Sequence, residues 1–402
     1  MRILAIETSC DETAVAVVEA SGGMKRPQFR ILSNVVASQI KIHAKWGGVV
    51  PNLAKREHQQ NLPIVLNKAL KEARLLKITK RIPNINLIAV TVGPGLEPAL
   101  WVGINFAHDL NKVWDKPVIG VNHMEGHIWS FLLSQKTEKP KLQITNYKLL
   151  FPALALLVSG GHTELVLIKD WLKYKIIGQT RDDATGEAFD KVAKMLGLPY
   201  PGGPQIAACA AQISKSKFLI SKQIPNFKFQ IKLPRPMINS KNYDFSFSGL
   251  KTAVLYLLRD IEAGKFGFRK IPFNDCLKRS QLPIPLVAEI CKEFQQAVID
   301  VLISKTIKAA KHYKVKTIII GGGVAANKEL RKQFKQKISD VALTSDSKYK
   351  YDLLDLLLPD MNFTTDNAAM IAAAAYFSAL KRKFRDTKKL KANGNLSFST
   401  KQ

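Results

Sequence analysis

The chain has 402 residues, of which 46% are apolar and 23% are charged, so it is long enough for two or three globular domains. Its 61 Lys and Arg residues exceed its 32 Asp and Glu residues by 29 charges, an excess that favours a polyanionic partner. The four cysteines form no C-x-x-C pair, which argues against a disulfide framework or a cysteine zinc site and predicts a reducing cytoplasm. The longest uncharged apolar run, Leu149–Val158, is too short to span a bilayer.

The N-terminal part of the sequence predicts an α/β unit. Arg2–Ile6, Ala14–Glu19 and Phe29–Ser38 are rich in apolar and β-branched residues, and we expect them to pair as an antiparallel meander. Glu7–Thr13 joins the first two runs and is dense in hydroxyls and carboxylates, a composition suited to phosphate or to a metal ion. Two helices and two more strands are expected next, at residues 54–75, 99–114, 87–92 and 118–121.

A pair of histidines follows the last of these strands. His123 and His127 are four residues apart and therefore share one face of a helix, close enough for both imidazoles to reach one ion. Two imidazoles suit Zn or Fe(II), but a metal needs at least one more protein ligand, and an ordinary solvated helix would show the same spacing. The metalloprotease motif His-Glu-x-x-His is absent here, because Met124 stands where its glutamate should follow the first histidine.

The second half of the sequence repeats the strand–turn–strand plan. Ala153–Val158 and Glu164–Lys169 are predicted strands on either side of the polar turn Ser159–Thr163. A long amphipathic helix, Val287–His312, precedes a β-branched strand that runs into a glycine-rich turn at residues 321–327. That turn lacks the third glycine of the dinucleotide fingerprint, and no P-loop motif occurs, so an actin or sugar-kinase type of site remains.

Two copies of one unit predict an α/β fold with two similar actin-like domains that face each other across a nucleotide-binding cleft. We expect an N-terminal lobe at 1–135 completed by a C-terminal helix at 366–385, a second lobe at 150–365 with insertions near 213–243 and 339–362, and a basic, disordered tail at 386–402.

Ten short motifs complete the pattern, at residues 6–13, 47–51, 93–96, 123–127, 157–163, 182–191, 200–204, 244–252, 322–327 and 365–367. Together they resemble the tRNA threonylcarbamoyladenosine transferase family, in the family's order and over nearly the whole chain. One departure is at the C-terminus, where Leu390–Leu396 replaces the Arg-Pro-Arg-Trp-Pro stretch of many bacterial members.

The resemblance implies an acyltransferase that moves the threonylcarbamoyl group from threonylcarbamoyl-AMP to the exocyclic amine of adenosine 37 in tRNAs reading ANN codons, with release of AMP. It also implies one divalent metal per subunit, Fe(II) or otherwise Zn, held by His123, His127 and Asp366. Asp11 and Glu12 are both candidates for the general base. The implied substrate-binding residues are Leu157, Val158, Ser159, Gly160, Gly161, Asp190, Gly203 and Asn327.

Simpler roles exist for several of these residues. The glycines would serve equally as turn residues, Asp190 as a solvated helix residue and Asn327 as a helix N-cap. An Asp366 in the first turn of an alanine-rich helix would favour the helix dipole by about 0.3–1 kcal/mol without any metal.

The resemblance further implies tRNA as a partner, with protein partners of the TsaB and TsaE type, in the cytoplasm and away from membranes. Lys191–Tyr243 contains nine basic residues and no acid, which makes it the expected tRNA surface, although lysines over core phenylalanines would look the same. The rival functions are an ATP-dependent kinase or ATPase of the same fold, a metalloprotease, and a tRNA-binding scaffold with no activity.

Overall fold

Two five-stranded mixed sheets organise the protein. The computed structural model describes residues 1–76, 82–134, 150–212, 231–265, 282–344, 355–382, 384 and 387–398. The first sheet contains β1 (Arg2–Glu7), β2 (Glu12–Ser21), β3 (Gln28–Ser38), β4 (Leu87–Gly93) and β5 (Val118–Asn122). The second sheet contains β6 (Ala153–Val158), β7 (Thr163–Asp170), β8 (Lys173–Gln179), β9 (Thr317–Gly321) and β10 (Asp355–Leu357).

The two sheets share one strand topology. The order is β3-β2-β1-β4-β5 in the first sheet and β8-β7-β6-β9-β10 in the second. In each sheet the first three strands form an antiparallel meander, the fourth strand pairs in parallel with the first, and the fifth pairs in parallel with the fourth. This repeat confirms the predicted α/β class with two similar domains, while the exact domain boundaries stay a prediction.

The helices pack against these sheets. They are α1 (Ile40–His43), α2 (Pro51–Glu72), α3 (Glu97–Trp114), α4 (His123–Trp129), α5 (Thr185–Met195), α6 (Gly202–Ala211), α7 (Ser248–Glu262), α8 (Ile284–His312), α9 (Lys328–Thr344) and α10 (Ala368–Leu380). Pro63 lies inside α2 and does not end it. Among the described helices, none has the length and apolar composition that crossing a membrane requires.

Helix α10 lies in the core that joins the two sheets. Every residue of α10 except Leu380 is buried, and the helix contacts all five strands of the first sheet as well as α4. Its alanines have little bulk, so neighbouring backbones can approach closely. A Cβ on Gly126 of α4 would lie only 3.1 Å from side-chain atoms of both Met370 and Ile371. This packing brings α4 against the residues that lead into α10.

Sequence reasoning missed two edge strands. It assigned no strand to Lys173–Gln179, whose exposed lysines alternate with partly buried residues, and it read 339–362 as an irregular insertion. In the structure α9 continues to Thr344, and Asp355–Leu357 adds to the sheet beside β9. A strand of three residues has too little sequence signal of its own, because its pairing with β9 provides its stability.

The C-terminal residues differ from the disordered tail that their lysines suggest. Leu390 and Leu396 are buried in the core of the first lobe, by which we mean the first sheet with α1–α4. The backbone amide of Asn393 donates a hydrogen bond of 2.9 Å to the carbonyl of Val92 in β4. The two leucines supply apolar contacts while Lys391 between them stays exposed, so a basic composition concealed an ordered segment. Residue 386 and residues 399–402 of the expected tail lie outside the described residues.

Candidate metal centre

His123, His127 and Asp366 lie together between the two sheets. The histidines are the first and fifth residues of α4, which begins directly after β5 because the Asn122 side chain accepts hydrogen bonds from two amides of its first turn. Asp366 Oδ1 lies 3.4 Å from His123 Nε2 and 3.2 Å from His127 Nε2. The three side chains offer ligand atoms that all lie within 4.8 Å of one another. Both imidazoles therefore direct Nε2 towards one carboxylate oxygen.

Asp366 precedes α10 instead of lying in its first turn. The helix begins at Ala368, and the Asn367 side chain caps it by accepting a hydrogen bond of 3.1 Å from the Met370 amide. The expectation of a helix from residue 366 is therefore wrong by two residues. Because the cap is supplied by Asn367, the Asp366 carboxylate is left to face α4.

Glu7 and Ser9 support His123 from the side opposite Asp366. His123 Nδ1 lies 3.1 Å from Glu7 Oε2 and 3.2 Å from Ser9 Oγ. Glu7 also accepts hydrogen bonds from the Thr91 hydroxyl at 2.5 Å and from the Ser9 amide at 2.6 Å. An imidazole whose Nδ1–H donates to a carboxylate has its lone pair on Nε2, which is the form that binds a metal.

The electrostatics of the site favour two charged carboxylates. Burial, the largest single effect, raises the pKa of Glu7 and of Asp366, but the attraction and hydrogen bonds of neighbouring groups, chiefly His123, together outweigh it and lower the pKa of both. Burial lowers the pKa of His123, but Asp366 and Glu7 outweigh it and raise that pKa well above its usual value. For His127 burial dominates, and its pKa is lowered. Two negative charges are thus held in a site where even the most accessible of these side chains, Asp366, is only 21% exposed.

The donor set fits a divalent cation. Both ring nitrogens of His127 are buried, and neither makes a hydrogen bond with any residue in the described part of the chain. A buried polar group without a partner costs about 1–3 kcal/mol. Two Nε2 lone pairs and a carboxylate oxygen would satisfy a metal, and a double positive charge would balance Glu7 and Asp366. Imidazole with carboxylate suits both Fe(II) and Zn(II).

The end of β6 and the turn that follows it hold five of the eight expected substrate residues, Leu157 to Gly161. Leu157 and Val158 end β6 and are fully buried. The Ser159 carbonyl accepts a hydrogen bond of 3.0 Å from the amide of Gly186, in the first turn of α5. A Cβ on Gly160 or Gly161 would meet nothing within 4 Å, so this backbone borders open space. An open glycine turn beside a helix N-terminus is a common way of holding phosphate oxygens.

The turn that leads to Asn327 contacts the end of β6. Gly322 has a φ of +91°, and a Cβ there would lie 2.3 Å from the Val158 carbonyl oxygen, so only glycine fits. Asn327 Oδ1 accepts a hydrogen bond of 3.0 Å from the Leu330 amide, and its Nδ2 donates one of 2.8 Å to Gln295. The Asn327 side chain therefore caps the first turn of α9, as the simpler interpretation of the sequence expects.

Asp190 and Gly203 also lie together. Asp190 accepts a hydrogen bond of 2.7 Å from the Gly202 amide and a further one from the Gly203 amide at the start of α6. Burial raises the pKa of Asp190, the two amides oppose this, and repulsion from Asp11 and Glu187 adds to the rise. Asp11 belongs to the β1–β2 turn, so the two lobes approach each other at this point.

Sequence reasoning missed three residues of the site. Glu7 and Ser9 lie in the first of the ten motifs, and their alternation along an extended chain after a buried strand could have placed them together.

His162, the third missed residue, belongs to the motif at 157–163. Burial lowers the pKa of His162 to about 4, and the positive charges of His123 and His127 contribute to that lowering. A neutral imidazole from the second lobe is therefore close to His123 and His127 of the first.

Comparison with known proteins identifies the family of this chain. The family model described as "TsaD: tRNA N6-adenosine threonylcarbamoyltransferase" matches residues 30–373. A relative with that enzyme name from Thermosipho africanus is 45% identical over 94% of this chain and 94% of its own length. The relative from Prochlorococcus marinus is 42% identical over 98% of this chain and 95% of its own, and the relative from Bacillus cereus is 40% identical over 98% of this chain and 96% of its own. Among solved structures, a ROK family glucokinase from Streptomyces griseus aligns over 93% of this chain and 98% of its own, with a TM-score of 0.40 and 10% identity. The chain belongs to the tRNA N6-adenosine threonylcarbamoyltransferase family.

Proposed function

We propose that this chain transfers the threonylcarbamoyl group from threonylcarbamoyl-AMP to the exocyclic amine of adenosine 37 in tRNAs that read ANN codons, releasing AMP. Family membership over nearly the whole chain supports the reaction. The observation that carries the proposal is the cluster of His123, His127 and Asp366, whose ligand atoms converge between two lobes that each carry a polar turn. A metal ion bound by this cluster could polarise a carbonyl group during acyl transfer, whereas a tRNA-binding scaffold without activity would have no need of it.

We propose one divalent ion per subunit, with Fe(II) as the first assignment and Zn(II) as the alternative. His123 and His127 would hold it through Nε2 and Asp366 through a carboxylate oxygen, while Glu7 fixes the His123 ring. When bound, a divalent ion supplies a Lewis acid for the carbamoyl carbonyl.

We propose that threonylcarbamoyl-AMP binds along the second lobe. Ser159 with Gly160 and Gly161 would hold the phosphate, because their turn borders open space beside the start of α5. Leu157 and Val158 form the buried base of that turn. The other three expected substrate residues would contact the nucleoside: Asp190, Gly203 and Asn327.

In the proposed reaction the adenosine amine attacks the carbamoyl carbon, the bond to the phosphate oxygen breaks, and the amine loses a proton. Much of the acceleration would come from holding the two reactants close together and correctly oriented. In well-oriented intramolecular reactions this effect lowers the activation barrier by about 7–11 kcal/mol. Asp11 and Glu12 stay candidates for the proton acceptor. Burial, with repulsion from Asp366 and Asp11, raises the pKa of Glu12 well above its usual value, in the direction that strengthens a general base.

Two rival functions fit the geometry less well. Glu125 accepts a hydrogen bond of 2.7 Å from the Tyr174 hydroxyl of β8. Because this contact engages its carboxylate, Glu125 is poorly placed to activate a metal-bound water as the glutamate of a metalloprotease does. A kinase of this fold would hold Mg²⁺ with carboxylates and waters, whereas two imidazoles favour a transition metal or zinc.

We propose tRNA as the polyanion that the net charge of +29 favours. The acid-free stretch Lys191–Tyr243 is the proposed contact surface, and residues 213–230 within it lie outside the described residues. Protein partners of the TsaB and TsaE type and a cytoplasmic location complete the proposal.

The metal ligands provide the test. His123→Ala, His127→Ala and Asp366→Ala should each lose bound metal and transfer activity, because a two-ligand remnant binds first-row metals weakly. Asn327→Ala should keep its metal and lose about 1–3 kcal/mol of adenylate affinity. His312→Ala, at an exposed position, is the control. Metal content by mass spectrometry, adenylate affinity and transfer to tRNA would be measured for each, and stoichiometric metal with full transfer in Asp366→Ala would refute the proposal.

A further inference from the structure

The C-terminal residues Thr387–Phe398 connect the two lobes, and we name them the C-terminal strap. The Thr387 hydroxyl lies 2.9 Å from His108 Nδ1 on α3, in the first lobe. Leu390 and Leu396 are buried in the core of the same lobe. The Phe398 ring lies 4.9 Å from the ring of Tyr174, on β8 of the second lobe. Twelve residues thus contact both sheets.

The strap holds the turn that follows β4. The Asn393 amide donates a hydrogen bond of 2.9 Å to the Val92 carbonyl, and the Gly95 amide donates one of 3.1 Å to the Gly394 carbonyl. A Cβ on Gly93 would lie 2.0 Å from the Asn393 carbonyl oxygen. The strap and this turn therefore meet backbone to backbone, with no space for a side chain between them.

The same turn supports a neighbour of the metal ligands. The Leu96 amide donates a hydrogen bond of 2.7 Å to the Ser9 carbonyl, and a Cβ on Gly95 would lie 2.5 Å from that oxygen. Ser9 Oγ lies 3.2 Å from His123 Nδ1, and the Ser9 amide donates to Glu7 at 2.6 Å. A displacement of the strap would therefore pass through rigid backbone contacts to the His123 ring.

A second route reaches α4 directly. Tyr174, which Phe398 contacts, donates a hydrogen bond of 2.7 Å from its hydroxyl to Glu125 and accepts one of 3.0 Å from Trp129 Nε1. Glu125 and Trp129 both belong to α4, on which His123 and His127 are one turn apart. The orientation of the helix that carries two metal ligands thus depends on a tyrosine that the strap covers.

We propose that the C-terminal strap is a positioning element of the metal centre. This inference depends on the proposed function, because it assigns the strap a role at that same metal site. Through Ser9 the strap sets the rotation of the His123 ring, and through Tyr174 it sets the direction of α4 relative to the second sheet. Leu396 and Phe398 are its positioning residues, one on each lobe.

The test compares full-length variants by their binding of Co(II), whose d–d absorption reports ligand geometry. Phe398→Ala removes the ring from Tyr174, and Leu396→Ala loosens the strap over the first lobe. Each should weaken Co(II) binding about tenfold, the lower end of the loss when an outer-shell partner of a metal ligand is removed, and shift the absorption bands. Lys391→Ala, exposed on the same strap, is the matched control. Phe398→Tyr keeps the ring and should retain wild-type affinity.

The outcomes separate this inference from the proposed function. A wild-type chain that binds no Co(II) would overturn the metal site and the strap's role together. Wild-type binding with unchanged affinity and unchanged spectra in folded Phe398→Ala and Leu396→Ala would overturn the strap's role alone. If Leu396→Ala does not fold, Phe398→Ala decides, because Phe398 is only partly buried and lies at the end of the strap.

Discussion

At the scale of single residues, the partly buried carboxylate of Glu164 makes the stability of the fold depend on pH. Glu164 on β7 pairs with Leu157, at the end of the strand that leads into the proposed phosphate turn. Burial alone raises the pKa of Glu164 from 4.5 to about 7. The folded protein therefore binds a proton more tightly than the unfolded chain between these pH values. As a result, this group contributes a fall in the free energy of unfolding as the pH rises from about 4.5 to about 7.

Glu164→Gln should remove that part of the pH dependence. The amide has the same shape and carries no charge, so the variant should be more stable than the wild type above pH 7, by at most about 3 kcal/mol. Urea unfolding of both metal-free proteins between pH 5 and pH 8 would measure the difference. Parallel pH curves for the two proteins would show that Glu164 ionises freely in the folded state.

The predictability of the site also differs from residue to residue. His123 and His127 were predictable because a spacing of four residues on a helix fixes their relation locally. Asp366 lies 243 residues after His123, and only its family motif, not any local pattern, indicated the third ligand. Glu7 acts through a hydrogen bond to His123 that depends on the pairing of β1 with β4 and of β4 with β5, which no local pattern contains.

At the scale of elements, the proposed metal centre depends on helix α10. It begins two residues after Asp366, packs against α4 and contacts all five strands of the first sheet. Since its buried alanines let neighbouring backbones approach closely, the helix tolerates little increase in volume at those positions.

Ala373→Leu should therefore destabilise the protein by about 1–3 kcal/mol, the usual penalty for extra methylenes in a packed core. Ala373 has 0% exposure, whereas Ala208 is an exposed alanine on α6 and provides the matched substitution. Chemical unfolding of Ala373→Leu and Ala208→Leu would be compared with the wild type. Equal stability of the two variants would mean that the packing around α10 can relax.

Elements with a strong internal pattern were predicted best. The central strands and the long helix α8 have apolar periodicities that their burial explains. The edge strands β8 and β10 and the C-terminal strap were not found, because their stability comes from a neighbouring strand or turn and not from their own composition. The strap's lysines pointed to solvent, and its two buried leucines gave no recognisable period.

Across the whole molecule, the repeated strand topology places one polar turn after β1 and another after β6 on facing lobes. The first lobe contributes His123, His127 and Glu7, and the segment that contributes Asp366 enters from the second sheet before α10. A metal centre of this kind requires both lobes in contact, so the relative position of the lobes is part of the catalytic geometry in our proposal.

The most direct measurement is the single-turnover rate of threonylcarbamoyl transfer from threonylcarbamoyl-AMP to tRNA, with the wild-type chain and its protein partners, before and after removal of metal by a chelator. Our account predicts that transfer falls with the metal content and returns when Fe(II) or Zn(II) is added back. Asp366→Ala should stay inactive under the same treatment. A metal-free wild-type chain that transfers at the rate of the metal-loaded protein would contradict the account.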